Sequence, residues 1–160
     1  MPNSIAPEKP GIYTLIIHLP IPVKTRVGKL GLKTFPAGYY TYTGSALGKG
    51  ALSLKERLRR HFGSKRNPYW HIDFLLNSKP VKIICTVISE TALPRECQVS
   101  TVLQNHQDAL TVVKGFGSKD CNVNCESHLH FFPNLNSSEV IKLAMEAHKK
   151  AGLSPSAISP

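Results

Sequence analysis

Arg57 and His61 are two side chains whose types and spacing could serve a chemical reaction. In a helix, which turns by about 100° per residue, they lie one turn apart on the same side. They flank an apolar stripe of Leu54, Leu58 and Phe62 through which such a helix would pack. We therefore expect both residues at the edge of the sheet that this helix covers, where an arginine can offer its planar donors to an anionic group.

Glu96 is a carboxylate in an unusual position. Counted from Val99, Val102 and Leu103, it falls on the core side of the helix predicted there, near the start of that helix. A carboxylate at such a place needs a partner, and a divalent ion would provide one, since Mg²⁺ commonly binds through one or two protein carboxylates. The alternative is a favourable position at the positive end of the helix dipole, next to Arg95.

A further group of potential metal ligands has the spacing Cys121-x-x-x-Cys125-x-x-His128. Thiolates and imidazoles are ligands that Zn²⁺ prefers, although this spacing is not that of a standard zinc finger. The fourth ligand has three candidates, Cys97, Asp120 and His130. The alternative to a zinc site is a tight loop with buried thiols and a structural histidine.

His71 and Asp73 follow Trp70 in a short predicted helix. They could orient each other or assist His61, which would make them part of a secondary site. The alternative is that this helix packs Trp70 and anchors the sheet.

The charge of the chain favours a polyanionic partner. Lys and Arg total 20 against 10 Asp and Glu among 160 residues, a formal net charge of +10. Nucleic acid is the leading candidate, and DNA is preferred to RNA. Contacts to the sugar-phosphate backbone are expected from the basic residues Lys49, Lys55, Arg59, Arg60, Lys65 and Arg66. Because such contacts do not select a sequence, specificity is expected to come from the structure of the nucleic acid or from a protein partner.

The sequence predicts a cytoplasmic protein. The N-terminal residues do not read as a signal peptide, and the apolar runs fall far short of the ~18 residues that a membrane span needs. In that compartment the four cysteines would stay reduced. We therefore expect no membrane partner.

The elements that must position these residues alternate between strand and helix patterns. Strands are predicted at 11–19, 38–44 and 81–88, the last in the centre of the sheet, with a hairpin or flap over 23–34 and extended segments at 109–113 and 127–132. Helices are predicted at 52–62, from Pro68 to Asn77, after Pro94, and at 139–151, where Ser137 or Ser138 would be the cap. Residues 1–10 form an extension, 11–133 the domain, and 134–160 a C-terminal helix with a frayed tail.

Several short motifs give the chain a specific resemblance. Gly11-Ile12-Tyr13, Tyr42-Thr43-Gly44, the helix around Arg57 and His61, and Glu96 occur in the order that defines the GIY-YIG nuclease superfamily, which the chain therefore resembles. Within it, the chain is most similar to the branch called domain of unknown function 123. That likeness rests on Trp70-His71-Ile72-Asp73, Glu96-Cys97, Gly115-Phe116-Gly117 and Ser127-His128-Leu129.

The resemblance implies a fold, a reaction and a site. The fold would be a small α+β, three-layer α/β/α domain with a mainly antiparallel central sheet. The reaction would be metal-dependent endonucleolytic hydrolysis with Mg²⁺ or Mn²⁺ at Glu96, and Zn²⁺ as the less favoured ion. The implied catalytic residues are Tyr13, Tyr42, Arg57, His61 and Glu96. Positive charge from Arg57, His61 and the metal would favour the phenolate of Tyr13, which would take or share a proton of the attacking water, while Tyr42 would orient that water or a phosphate oxygen. The sequence leaves open which of the two tyrosines is the base.

Two departures from the superfamily leave other functions open. The interval between Tyr13 and Tyr42 is long, which indicates an insertion at residues 20–37, and only Asn105 and Asp108 fall where an asparagine commonly occurs. A nucleic-acid-binding module of the same fold with weak catalysis is therefore an alternative, and a structural or adaptor protein with a metal at the cysteines is a third.

Overall fold

The computed structural model describes residues 6–64, 67–118, 121, 123 and 125–160. Seven strands are present within these ranges: β1 Gly11–Leu19, β2 Val23–Arg26, β3 Leu32–Phe35, β4 Gly38–Ala46, β5 Lys82–Glu90, β6 Leu129–Phe132 and β7 Ser156–Ile158. The α-helices in the same ranges are α1 Leu54–Phe62, α2 His71–Leu76, α3 Glu96–Gln104 and α4 Ser137–Lys150.

Five of the strands form one antiparallel sheet in the order β6-β4-β1-β5-β7. β1 is its middle strand and pairs over its whole length with β4. β2 and β3 form a separate two-stranded sheet, so the hairpin predicted over 23–34 is confirmed. The predicted mainly antiparallel α+β architecture is confirmed as well.

The helices lie on both faces of the sheet because successive side chains of a strand point to opposite sides. Tyr13, Leu15 and Ile17 of β1 pack in one core cluster together with residues of α1 and α2. Ile12 and Ile16 belong to a second cluster with residues of α3 and α4. The alternation of β1 therefore divides the interior into two apolar layers, one on each side of the sheet.

Two helices begin at side-chain caps. The hydroxyl of Ser53 accepts a hydrogen bond from the N–H of Glu56 at the start of α1. At the start of α4, Asn136 accepts from the N–H of Glu139, and the Glu139 carboxylate accepts in return from the N–H of Asn136. The prediction of Ser137 or Ser138 as this cap was wrong, because an asparagine one residue earlier forms the reciprocal pair with the glutamate.

Three further predictions need correction. β5 is an inner strand but not the middle one, since an apolar run indicates cover on both faces and not a particular place in the sheet. The tail predicted to fray instead supplies β7, whose Ile158 is buried and pairs with Thr86 of β5. Of the segment 109–113, predicted as extended, Leu110 forms an isolated bridge to Phe131 and no regular strand follows.

None of the helices in the described part of the chain is long and apolar enough to span a membrane.

Candidate functional site

A polar cavity of about 160 Å³ lies beside β4, at the place where its neighbour β6 stops. β6 pairs with β4 as far as Tyr42, and one further backbone bond joins the N–H of Thr43 to the carbonyl of His128. β4 continues to Ala46 without this neighbour, which leaves the cavity open along its edge. The residues that line the cavity are Tyr13, Tyr42, Gly44, Ser45, Arg57, Trp70, Glu96, Cys97, Gly117, Cys121 and His128.

Tyr13 reaches this cavity from β1 and contacts His61 of α1. Its hydroxyl lies 2.8 Å from Nε2 of His61, and both side chains are buried. Across the sheet, Tyr13 pairs with Gly44. A Cβ atom at Gly44 would lie 2.5 Å from the Tyr13 hydroxyl, so glycine is needed for the ring to lie over β4.

Burial controls the ionisation of both site tyrosines. It raises the pKa of Tyr13 well above its ordinary value, and the opposing effect of the Arg57 guanidinium is smaller. Burial also raises the pKa of Tyr42, and the neighbouring Tyr13 and Glu96 raise it further. Without a metal ion, the loss of hydration outweighs the charge of Arg57 and favours the neutral phenol of Tyr13. The expected phenolate also depended on the charge of a bound metal, and it stays a prediction. Both tyrosines are neutral phenols, and the Tyr13 hydroxyl can donate to His61.

Tyr42 is held by the segment Gly115-Phe116-Gly117. The ring of Phe116 meets the ring of Tyr42 edge-on at 6.0 Å, and a Cβ atom at Gly117 would lie 2.8 Å from Cε1 of Tyr42. Gly117 has a φ of +69°, and its N–H donates to Nδ1 of His71 at 2.9 Å. His71 therefore fixes the loop that covers Tyr42.

Arg57 is fixed in the cavity by two contacts. Its guanidinium lies over the indole of Trp70, 4.4 Å from the ring centroid, and its Nη1 donates to the carbonyl of Ser45 at 2.9 Å. Arg60 lies over the same indole at 4.9 Å. Both cations therefore lie close enough to the indole for its ring quadrupole to attract them.

Asp73 anchors this arrangement from a fully buried position. Its Oδ2 accepts hydrogen bonds from Nη2 of Arg60 at 2.8 Å and from the N–H groups of Tyr69 and Trp70 at 2.8 and 2.9 Å. Burial acts to raise the pKa of Asp73, but the hydrogen bonds from Arg60 and the two N–H groups hold it below its ordinary value. His71 therefore contacts Gly117, and Asp73 contacts Arg60.

The predicted phosphate-facing residues fall into three groups. Arg60 is engaged by Asp73 and by the carbonyl of Asn67, and its contact with phosphate stays a prediction. Lys55 pairs with Glu8 and Arg59 with Glu56 at the surface. Lys49 is exposed, and Lys65 and Arg66 lie outside the described residues.

Glu96 faces the tyrosines from the first residue of α3. Its Oε1 accepts from the hydroxyl of Ser45 at 2.9 Å, and its Oε2 lies 3.8 Å from Nδ1 of His128. The side chain is partly exposed to the cavity. Glu96 is the only carboxylate among the described residues that line the cavity, so it is the group there that could bind a divalent cation.

Four further side chains converge on the same wall. The Sγ atoms of Cys97, Cys121 and Cys125 and a ring nitrogen of His128 all lie within 4.8 Å of one another, and together they could hold a metal ion. Of the candidates for a fourth ligand, Cys97 is therefore the one that joins the other three. His130 is buried in β6, where burial lowers its pKa to about 4, and Asp120 lies outside the described residues.

Two residues that organise the cavity were not among the predicted site residues. Ser45 binds Arg57 through its carbonyl and Glu96 through its hydroxyl. Trp70 packs against the core, as one of the two interpretations of its motif predicted, and it also provides the surface on which Arg57 lies. Both residues stand in the motifs of the resemblance, Ser45 directly after Gly44 and Trp70 directly before His71.

The comparisons with known proteins give one match. A family model described as "Domain of unknown function DUF123" matches residues 12–152. No curated protein and no solved structure matches the chain.

Proposed function

The chain belongs to the family of domain of unknown function DUF123, and from the cavity described above we propose that it is a metal-dependent endonuclease that hydrolyses phosphodiester bonds in nucleic acid. The observation that supports this most directly is the convergence of Tyr13, Tyr42, Arg57 and Glu96 on one cavity. These residues come from β1, β4, α1 and α3, so their meeting is a property of the fold and not of one motif.

The charges of the cavity suit a phosphodiester. Arg57 lies over Trp70 at the wall of the cavity, where its donors can bind the phosphoryl oxygens and stabilise the charge that develops on them. The net charge of +10 favours a polyanionic substrate. We propose DNA as the substrate, with its structure or a partner protein supplying the specificity.

Tyr13 and His61 form a route for the proton of the attacking water. As the water oxygen bonds to phosphorus, the water proton passes to the hydroxyl oxygen of Tyr13, and the Tyr13 proton passes to Nε2 of His61. The bond from phosphorus to the leaving oxygen then breaks. A neutral phenol can act in this way because it gives up one proton as it accepts another, so a free phenolate is not required. Tyr42 lies on the same side and can orient the water.

Glu96 is suited to hold the divalent ion. Mg²⁺ and Mn²⁺ take oxygen ligands, and a single protein carboxylate with water and phosphate oxygens is a common set. Ser45 holds one oxygen of Glu96 in place while the side chain stays partly open to the cavity. When bound, such an ion supplies positive charge that stabilises the leaving oxygen.

Weak catalysis with retained binding is the second candidate. Asn105 and Asp108 do not line the cavity, so among the described residues no side chain takes the place of the asparagine common in the superfamily. Together with the raised pKa of both tyrosines, this favours slow hydrolysis over rapid turnover.

Incubation of the pure protein with branched, nicked and single-stranded DNA and RNA tests the proposal. We expect cutting in Mg²⁺ or Mn²⁺ that EDTA abolishes, and its loss in both Tyr13→Phe and Glu96→Gln. Tyr69→Phe and Glu146→Gln are matched controls, because both side chains are exposed and lie outside the cavity. Cutting that persists in Glu96→Gln contradicts the metal assignment. Binding that weakens steeply with salt, without any cutting, selects the second candidate.

A further inference from the structure

Three cysteines and one histidine that hydrolysis does not use come together from separate parts of the chain. Cys97 lies in the first turn of α3, whereas Cys121, Cys125 and His128 belong to the segment that leads into β6. We propose that these four side chains bind one Zn²⁺ ion in a closed, structural site.

The distances fit a tetrahedral ion after small adjustments. Bonds of about 2.3 Å to sulfur and about 2.0 Å to nitrogen place the ligand atoms of a tetrahedron about 3.5 to 3.8 Å apart. The Sγ atoms of Cys97 and Cys121 are 2.9 Å apart, and Cys97 Sγ lies 3.8 Å from Nε2 of His128. All four ligand atoms lie within 4.8 Å of one another, so rotamer-scale shifts bring them around one centre.

The chemistry of the set selects zinc over the ion proposed at Glu96. Thiolates and imidazole are soft or borderline ligands, whereas Mg²⁺ and Mn²⁺ prefer oxygen. Four protein ligands leave no open position, which is the arrangement of a structural site.

A disulfide between Cys97 and Cys121 is the competing explanation for their closeness. It accounts for two of the four side chains only. Cys125 and the buried His128 would remain beside it with no reason to converge. The four residues together are therefore better explained by one ion than by one covalent bond.

The ion would connect the loop to the cavity. Cys97 directly follows Glu96, and the backbone carbonyl of His128 binds the N–H of Thr43 in β4. With Nε2 of His128 on the ion, its Nδ1 faces the Glu96 carboxylate at 3.8 Å. A carboxylate beside the second nitrogen of a metal-binding histidine orients the ring, so zinc would fix the start of α3 and the position of Glu96 together. The proposal does not rest on hydrolysis, because zinc can be measured without any substrate.

The test is the metal content of the full chain, purified under reducing conditions from cells grown with zinc. We expect elemental mass spectrometry to find about one zinc ion per chain. We also expect the cobalt-substituted protein to show the absorption spectrum of tetrahedral Co²⁺ bound by three thiolates. Cys125→Ser and His128→Gln should bind zinc at least about 100-fold more weakly. Cys85→Ala is the control, since Cys85 lies in β5, outside the group of four ligands, and should leave the zinc content unchanged.

Three results would overturn the proposal. The first is wild-type protein without zinc after growth and purification with the metal. The second is a zinc content that stays the same in Cys125→Ser and His128→Gln. The third is a cobalt spectrum of the reduced protein that lacks thiolate-to-cobalt charge-transfer bands. This measurement uses the wild-type protein, so it remains decisive if the variants fail to fold.

Discussion

The ring of Tyr13 occupies the space that a side chain at Gly44 would fill. The two residues face each other across β1 and β4, and a Cβ atom at Gly44 would lie 2.5 Å from the hydroxyl and 2.6 Å from Cζ. The glycine of the motif Tyr42-Thr43-Gly44 is therefore needed for Tyr13 of the motif Gly11-Ile12-Tyr13 to reach His61. The two motifs therefore depend on each other, because the glycine of one makes room for the tyrosine of the other.

Gly44→Ala should consequently impair the site as strongly as a change of Tyr13 itself. The added methyl group collides with the ring, so the ring must move away from Nε2 of His61. We expect the cutting rate to fall to that of Tyr13→Phe, with a loss of stability of about 1 to 3 kcal/mol from overpacking. Gly63→Ala is the control, because the nearest atom to its Cβ is at 3.4 Å. A Gly44→Ala protein that is fully active would contradict the assignment of Tyr13.

Arg57→Lys tests whether the planar guanidinium is needed or only its charge. Lysine keeps the charge but cannot reproduce both the contact of the guanidinium with Trp70 and its bond to the Ser45 carbonyl. We expect the rate of cutting at saturating metal to fall about 100-fold, the usual effect of losing one donor to a developing negative charge. Arg59→Lys, at a side chain 77% exposed, should cut at the wild-type rate. Equal rates for the two variants would show that Arg57 does not contact the phosphate.

The sequence predicted the residues that line the cavity better than the residues that hold them in position. Tyr13, Tyr42, Arg57 and Glu96 do line one cavity, because strand alternation and helical period fix which face a residue takes. Ser45 could not be recognised in advance, because its contacts depend on where α1 and α3 cross the end of β4. Cys97 was one of three candidates for the fourth ligand, since sequence spacing does not tell which distant residue meets the loop at Cys121.

Local sequence patterns also failed to predict the last strand, which forms only because it pairs with a strand distant in the sequence. Ser156–Ile158 is too short and polar to be recognised as a strand, and it is ordered because β5 offers it an open edge and the core accepts Ile158. The pKa of Tyr13 in the absence of a metal ion also depends on contacts that are distant in the sequence. The sequence shows the nearby cation but not the complete burial of the hydroxyl, and burial is the larger effect.

Asp73→Asn should lower the free energy of unfolding by about 3 kcal/mol, because it removes the charge that pairs with Arg60 at a buried position. The pKa of Asp73 is lowered in the folded protein, so this stabilisation is present above its ordinary pKa and is lost as pH falls through the folded value. Denaturant unfolding at pH 7 measures the difference. Asp108→Asn, at a partly exposed aspartate outside the cavity, should cost less than about 1 kcal/mol. A small effect at Asp73 would contradict its role in anchoring Trp70.

His148 should make the fold less stable in mild acid. It lies fully buried on α4, with Nε2 2.9 Å from the Thr14 hydroxyl and Nδ1 2.7 Å from the Ser89 hydroxyl. Burial lowers its pKa to about 4, from an ordinary value of 6.5. The unfolded chain therefore binds a proton between these two pH values while the folded chain does not. The stabilisation is complete above pH 6.5 and declines as the pH falls towards 4.

Between pH 7 and pH 5 this difference amounts to about 2 kcal/mol for His148. In His148→Gln the free energy of unfolding should be lower at pH 7, because an amide cannot reach both hydroxyls as the ring does, but it should fall about 2 kcal/mol less on going to pH 5. Denaturant unfolding at both pH values measures this. His18→Gln is the control: His18 is only partly buried and stacks on Tyr39 at the end of β1, so its variant should keep the wild-type decline. If His148→Gln loses as much stability in acid as the wild type, the neutral state of the buried ring is not what limits the fold at low pH.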